Sequence, residues 1–183
     1  MGARGCLGQD RRLPYRRAGL GARAADRRGL GRYLAPPFAD GGPDEPVTPQ
    51  LTDAVVKVLA AWDWSSRPTS VVTLPSRTRP VLVESLGQRI ADIGRLSYLG
   101  ALDYVTADGP GPRRHNSAQR LASLWRALVV PDSLREALSA ADGPVLLVDD
   151  QIDSGWTMTV AAALLRDAGA PAVLPLVLAT TTG

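Results

Sequence analysis

The chain has 183 residues, 45% of them hydrophobic, with a net charge of +3 and one cysteine, Cys6. That length suits one ordinary domain with its own core. The lone cysteine excludes an internal disulfide and a cysteine zinc cluster and points to a cytoplasmic setting, and no apolar run approaches the ~20 residues of a membrane helix. The charge is unevenly spread. Residues 1–34 carry nine arginines and two aspartates, a net +7, while the remainder carries eleven arginines and Lys57 against sixteen acids, a net −4.

The opening stretch is rich in glycine and arginine and has no apolar period. Residues 1–42 are therefore expected to be a poorly ordered basic extension and linker, with sequence-independent contact to DNA as the alternative role. Ala35 to Gln50, APPFADGGPDEPVTPQ, has the composition of a linker. The folded domain is expected over residues 43–183.

Thr48 followed by Pro49 has the form of a helix start, and Leu51, Val55, Val58, Leu59 and Trp62 recur at helical spacing. Ser70 to Ser76, SVVTLPS, is a β-branched run broken by a proline and predicts a buried strand ending in a turn. Pro80 to Gly94 opens on proline, closes on glycine and carries Val81, Leu82, Leu86 and Ile90 on one helical face. A strand is expected over Ala101 to Thr106, then a flexible loop, Ala107 to Asn116. Two helices follow, Ser117 to Val130 and Pro131 to Ala141. Val145 to Val148 predict a central strand, Thr157 to Ala168 a helix stopped by Gly169, and Ala172 to Ala179 the last strand. Strands alternating with helices argue for an α/β fold, a parallel sheet with helices on both faces.

Val145 to Thr159, VLLVDDQIDSGWTMT, poses a physical problem. Two adjacent carboxylates at the end of an aliphatic strand repel each other, and a buried carboxylate is expensive without a partner. The pair asks for something polar or cationic just beyond the strand. Open α/β sheets bind ligands at this edge. The next residues, Asp153, Ser154, Gly155, Trp156 and Thr157, form a turn into a helix, whose amides and hydroxyls favour an anion. A turn for a phosphate beside carboxylates for a diol matches a 5-phosphoribosyl group.

The stretch resembles the signature of type I phosphoribosyltransferases, four hydrophobic residues, two acids and a turn of the form D-T-G-x-T. The resemblance implies that Asp149 and Asp150 face the ribose hydroxyls of phosphoribosyl pyrophosphate and that Asp153, Ser154, Gly155, Trp156 and Thr157 wrap its 5-phosphate. Ser154 stands for the usual threonine and keeps the hydroxyl. Thr73 to Pro80, TLPSRTRP, resembles the pyrophosphate loop of the same fold. Ser76 and Arg77 would then meet the diphosphate, with Arg79 nearby. Gly111 to Arg120 lies where the family has a mobile catalytic loop, so Arg113, Arg114 and His115 would close over the diphosphate; a solvated loop is the plainer reading of His115. Mg²⁺ would arrive with the ligand, with no direct protein ligands implied.

The segments VVKVLAAWDW, PSRTRP, NSAQRLASLW and the run from Val145 to Ala179 are together similar to the C-terminal domain of actinobacterial RecQ-family DNA helicases, over roughly residues 43 to 183. The chain has no G-x-x-x-x-G-K-[ST] phosphate loop, no helicase acidic box and no zinc cysteines, so ATP hydrolysis and unwinding are not expected of it. The resemblance implies a phosphoribosyl ligand, a link to DNA through a parent helicase or the basic segment, no membrane, and room for a homodimer. Two functions stay open: displacement of pyrophosphate by a nitrogen nucleophile, with Arg77, Arg113 and Arg114 as catalytic arginines, or a non-catalytic sensing or scaffold module in DNA repair and recombination.

Overall fold

The computed structural model describes residues 43–106 and 117–180. In chain order the elements are α1 (Pro49–Ala60), β1 (Ser70–Thr73), α2 (Pro80–Gly94), β2 (Ser97–Ala101), β3 (Asp103–Tyr104), α3 (Ser117–Ala127), β4 (Leu128–Val129), α4 (Asp132–Ser139), β5 (Val145–Ile152), α5 (Trp156–Asp167) and β6 (Val173–Thr180). The basic segment 1–42 and the predicted loop at 107–116 lie outside the described residues.

Four strands pair in the order β2-β1-β5-β6, every pairing parallel, while β3 and β4 form a separate antiparallel pair. Parallel strands are covered on both faces and read as continuous aliphatic runs, which is what Val71–Val72 and Val145–Val148 provide. Alternation along β5 divides the core. Val145 and Leu147 pack with Leu124 of α3, Leu134 and Leu138 of α4, and Val160 and Leu165 of α5. Leu146 and Val148 point the other way, onto Leu51 and Val55 of α1 and Leu82, Leu86 and Ile90 of α2. Fully burying one such side chain contributes about 1.5–3 kcal/mol, so the two faces hold most of the stabilising burial. Among the described residues no helix is long and apolar enough to cross a membrane.

Local chemistry accounts for the helix ends. The Thr48 hydroxyl accepts from the Leu51 amide at 3.3 Å, and Pro49 occupies the first helical position of α1. α2 begins at Pro80 and ends at Gly94, the bounds its flanking proline and glycine predict, but Arg95 and not the glycine takes the left-handed conformation after it (φ 54°). Its first turn is held from a distance. Asp44 accepts from the Val81 and Leu82 amides, both at 3.0 Å. Gly87 lets α2 lie directly on Thr73 and Tyr98, because a Cβ there would collide with the Thr73 methyl.

Several elements depart from expectation. The strand expected over Ala101 to Thr106 is two strands. β2 ends at Ala101 and β3 covers only Asp103–Tyr104. β2 was obscured by Gly100, which has φ 111°, next to a shift in the β1–β2 register between Val71 and Val72. The third helix stops at Ala127, because Leu128–Val129 turn outward to pair with β3. Val81 is exposed, and Val83 takes its place in the core. β5 runs four residues past Val148, since β6 continues alongside it and pairs Asp149 with Val177 and Gln151 with Ala179. The two acids therefore stand within the ladder and not beyond its end. α5 starts at Trp156, one residue before the expected Thr157.

Candidate functional site

The site follows from the strand order. After β1 the chain passes through α2 to β2 on one side, and after β5 it passes through α5 to β6 on the other. The direction reverses between β1 and β5, and in open α/β sheets ligands are held beyond the carboxyl ends of the strands at such a point. The strands pair with Thr73 opposite Val148, and the Leu74 amide still donates to the Val148 carbonyl at 2.9 Å. The turn 75–79 and the stretch 149–157 consequently leave the sheet side by side.

On the β1 side lies a cleft of about 540 Å³ whose wall includes Ser76, Arg77, Pro80, Glu84, Asp103 and Tyr104. Arg77 is exposed and Ser76 half-buried. Ser76 also shapes its own turn: its hydroxyl oxygen accepts from the Arg79 amide at 3.0 Å. Tyr104 is drawn into the same neighbourhood. Its hydroxyl is raised above the usual tyrosine value, first by burial and then by the charge of Asp149, with Arg77 opposing. Tyr104 is thus within electrostatic reach of both Asp149 and Arg77.

The adjacent acids have different surroundings. Asp150 is buried, and its Oδ2 accepts from Nη1 of Arg79 at 3.2 Å. This is the cation that the carboxylate pair required. Asp149 is half-buried, and its Oδ1 accepts from the Asp150 amide at 2.9 Å. Burial, then the neighbouring Asp150, push the Asp149 carboxyl up to about 8, only partly offset by hydrogen bonds from the Asp150 and Gln151 amides. The surroundings of Asp149 therefore favour its protonated form over the carboxylate.

The turn between β5 and α5 is set by a glycine. Gly155 occupies the N-cap position with φ 78° and ψ −5°, a left-handed conformation that glycine adopts without penalty. Among the described residues no side chain caps α5 there, and amides at a helix N-terminus favour an anion. Asp153 and Ser154 are exposed, and Thr157 is half-buried. The Trp156 ring packs partly against the core shared by α3, α4 and α5, which explains a bulky residue at that position.

The fold thus brings Ser76, Arg77, Asp149, Asp150 and the turn 153–157 to one edge. Arg113, Arg114 and His115 lie outside the described residues. Sequence reasoning missed Tyr104, because a two-residue strand leaves no periodic signal, and placed Arg79 merely nearby. The signal for Arg79 was available: a carboxylate buried on β5 needs a cation from a neighbouring loop, and Arg77 and Arg79 are the basic residues between β1 and α2. Among the described residues no group of three or more His, Cys, Asp or Glu side chains could hold a metal ion.

The sheet order defines a parallel α/β domain whose strand order reverses between β1 and β5. No protein-family model matches the chain, and no curated protein matches it. Solved structures similar to it include glutamine phosphoribosylpyrophosphate amidotransferase from B. subtilis, at 21% identity and a TM-score of 0.48 over 69% of this chain and 26% of that one. Adenine phosphoribosyltransferase from Saccharomyces cerevisiae is similar at 18% identity and a TM-score of 0.48, over 72% of this chain and 66% of that one. The enzyme of the same name from Leishmania tarentolae is similar at 14% identity and a TM-score of 0.46, over 73% and 56%. The chain spans about a quarter of the length of the amidotransferase.

Proposed function

We propose that this chain is a phosphoribosyltransferase-like domain that binds phosphoribosyl pyrophosphate, or a related phosphoribosyl ligand, across the seam between β1 and β5. One observation carries the reading. The turn with Ser76 and Arg77 and the turn with Gly155 leave two paired strands at the point where the strand order reverses. In this reading the 5-phosphate lies on Asp153, Ser154, Gly155, Trp156 and Thr157, the ribose lies against the carboxylates of β5, and the diphosphate reaches Ser76 and Arg77. The sequence resemblance adds Arg113 and Arg114 as catalytic arginines acting on the diphosphate.

The reaction open to such a site is attack of a nitrogen nucleophile on C1 of the sugar, with the bond from C1 to the diphosphate oxygen breaking and pyrophosphate leaving. The planar guanidinium of Arg77 suits the leaving group's oxygens and offsets the charge gathering there. Mg²⁺ would accompany the diphosphate and neutralise part of its charge. From the sequence resemblance we further propose that the domain is part of a RecQ-type helicase, cytoplasmic, acting in DNA repair and recombination, with contact to DNA through that parent or through the basic segment 1–42. A homodimer is compatible with this reading.

Calorimetric titration of the full chain with phosphoribosyl pyrophosphate and Mg²⁺ tests the reading. Binding is expected. Arg77→Ala should weaken it by about tenfold, the worth of one charge-assisted contact, while leaving ribose 5-phosphate affinity unchanged. Absence of heat and of any thermal shift with both ligands at millimolar concentration would overturn the proposal.

A further inference from the structure

A second cavity, of about 240 Å³, lies at the amino ends of the strands, away from the turns that leave β1 and β5. It is on the α1–α2 face of the sheet. Leu146, the second residue of β5, and Ile90 of α2 are its buried walls. Pro68 and Leu96, which precede β1 and β2, place it at this end, and Leu59 belongs to the last turn of α1. Ile93, near the end of α2, lines it as well and is 50% exposed. Apolar surface left in water there is surface that a ligand would cover with gain.

One wall is a fixed aromatic ring. The Trp64 indole N–H donates to the Leu59 carbonyl at 2.9 Å. Trp62 stacks on the same ring, with centres 5.0 Å and planes 21° apart. One face of Trp64 is thus covered and its donor is spent, so it offers the cavity its other face or its edge. Both attract another aromatic ring. The Leu59 carbonyl is taken too, since it also accepts from the Trp62 amide at 3.3 Å. Among the described residues lining the cavity, Arg67 alone carries a charge. It is exposed, and among the described residues no carboxylate pairs with it.

Such a wall selects on two counts. A ring gains by leaving water, and an anionic group on that ring meets the planar donors of Arg67, which suit a carboxylate. An apolar cavity of about 150 Å³ already holds benzene, so this one has room for two fused rings. We propose that the cavity is a second ligand site, for a small aromatic carboxylic acid, with the rings against Trp64, Ile90 and Leu146 and the carboxylate on Arg67. It stands apart from the phosphoribosyl site, at the other end of the strands, and does not depend on that reading.

The probe is 1-naphthoate, titrated into the full chain by calorimetry, with 1-naphthylmethanol and 1-naphthylmethylamine as its uncharged and cationic counterparts. Naphthoate should bind with a Kd on the order of 0.1 mM. The alcohol should bind about fivefold more weakly, a modest factor because Arg67 is exposed, and the amine more weakly still. Arg67→Gln should melt at the wild-type temperature and bind the acid no better than the alcohol. Ile93→Ala removes apolar wall and should weaken acid and alcohol alike, by about threefold or more, while keeping the preference for the acid. Both variants should bind ribose 5-phosphate as wild type does.

Absence of heat with millimolar naphthoate would overturn the proposal. So would equal affinity for the three probes in wild type, or naphthoate binding that either folded variant leaves untouched. The three-probe comparison in wild type decides the charge preference without any variant. A chain that binds naphthoate but ignores ribose 5-phosphate would sink the phosphoribosyl reading alone.

Discussion

Asp44 holds the first turn of α2 from outside the helix, its Oδ1 accepting from the Leu82 amide at 3.0 Å while Oδ2 takes the Val81 amide. Arg79, at the N-cap position, makes no side-chain cap bond. A residue 38 positions upstream therefore does the work that Ser, Thr or Asp usually does locally. The same strap continues through Val47, whose amide donates to the Ser85 hydroxyl at 2.8 Å.

Asp44→Ala should accordingly destabilise the fold by about 0.5–2 kcal/mol, the usual worth of a helix cap. Asp44→Asn keeps an acceptor and should lose less. Urea denaturation compares the three proteins. Equal stability of Asp44→Ala and wild type would show that the strap contributes nothing.

Asp149 gives stability a specific dependence on pH. Its carboxyl lies at about 8 in the folded chain and near the ordinary 3.8 in the unfolded one. The folded state therefore binds this proton more tightly. Its contribution to stability is fully present below about 4 and is lost as pH rises toward about 8. Asp149→Asn cannot ionise, so its stability should fall less over that interval. At pH 9 it should exceed wild type by about 1–3 kcal/mol, a figure reduced for the group's half-buried position. Denaturation series at pH 5 and pH 9 supply the comparison, and parallel profiles for the two proteins would contradict the assignment.

Gly155 is constrained by its backbone and not by space. A Cβ there would meet only the Ile152 side chain, at an ordinary 3.5 Å, but φ is 78°. Gly155→Ala should cost about 1–2 kcal/mol from the left-handed conformation, and Gly155→Asn less, since asparagine tolerates it better. Gly155→Val should add strain of about 1–3 kcal/mol and abolish the thermal shift produced by ribose 5-phosphate. A folded valine variant with the full shift would place the anion elsewhere.

Much of this architecture was legible because it is written in local chemistry. Thr48-Pro49 and the Pro80–Gly94 bracket announce their helices, and two aliphatic runs announce the central strands. The turn at Asp153–Gly155 that leads into α5 was legible for the same reason, as consecutive residues running into a helix. The rest depends on partners far away in the chain. β2 has a glycine and a register shift where a pattern would show, and β3 and β4 are two residues each, formed by pairing with one another. Nothing near Asp44 says that it caps a helix beginning at Pro80. The run Val145–Val148 appeared to end at the acids because side chains turn polar there, whereas the ladder is a matter of backbone and continues to Ile152.

The seam between β1 and β5 makes this edge of the sheet depend on a contact distant in sequence. Thr73 and Val148 are neighbours in the ladder, yet α2, β2, β3, α3, β4 and α4 all lie between them in the chain. Contacts so distant in sequence are slow to form and pay their loop-closure cost before they gain anything. No fragment holding one turn without the other can reproduce this edge. A molecule spanning both turns would then act as a clasp on the finished chain. It would raise the free energy of global opening by mass action and slow amide exchange in β1 and β5 together, leaving the outlying β3–β4 pair to open as before.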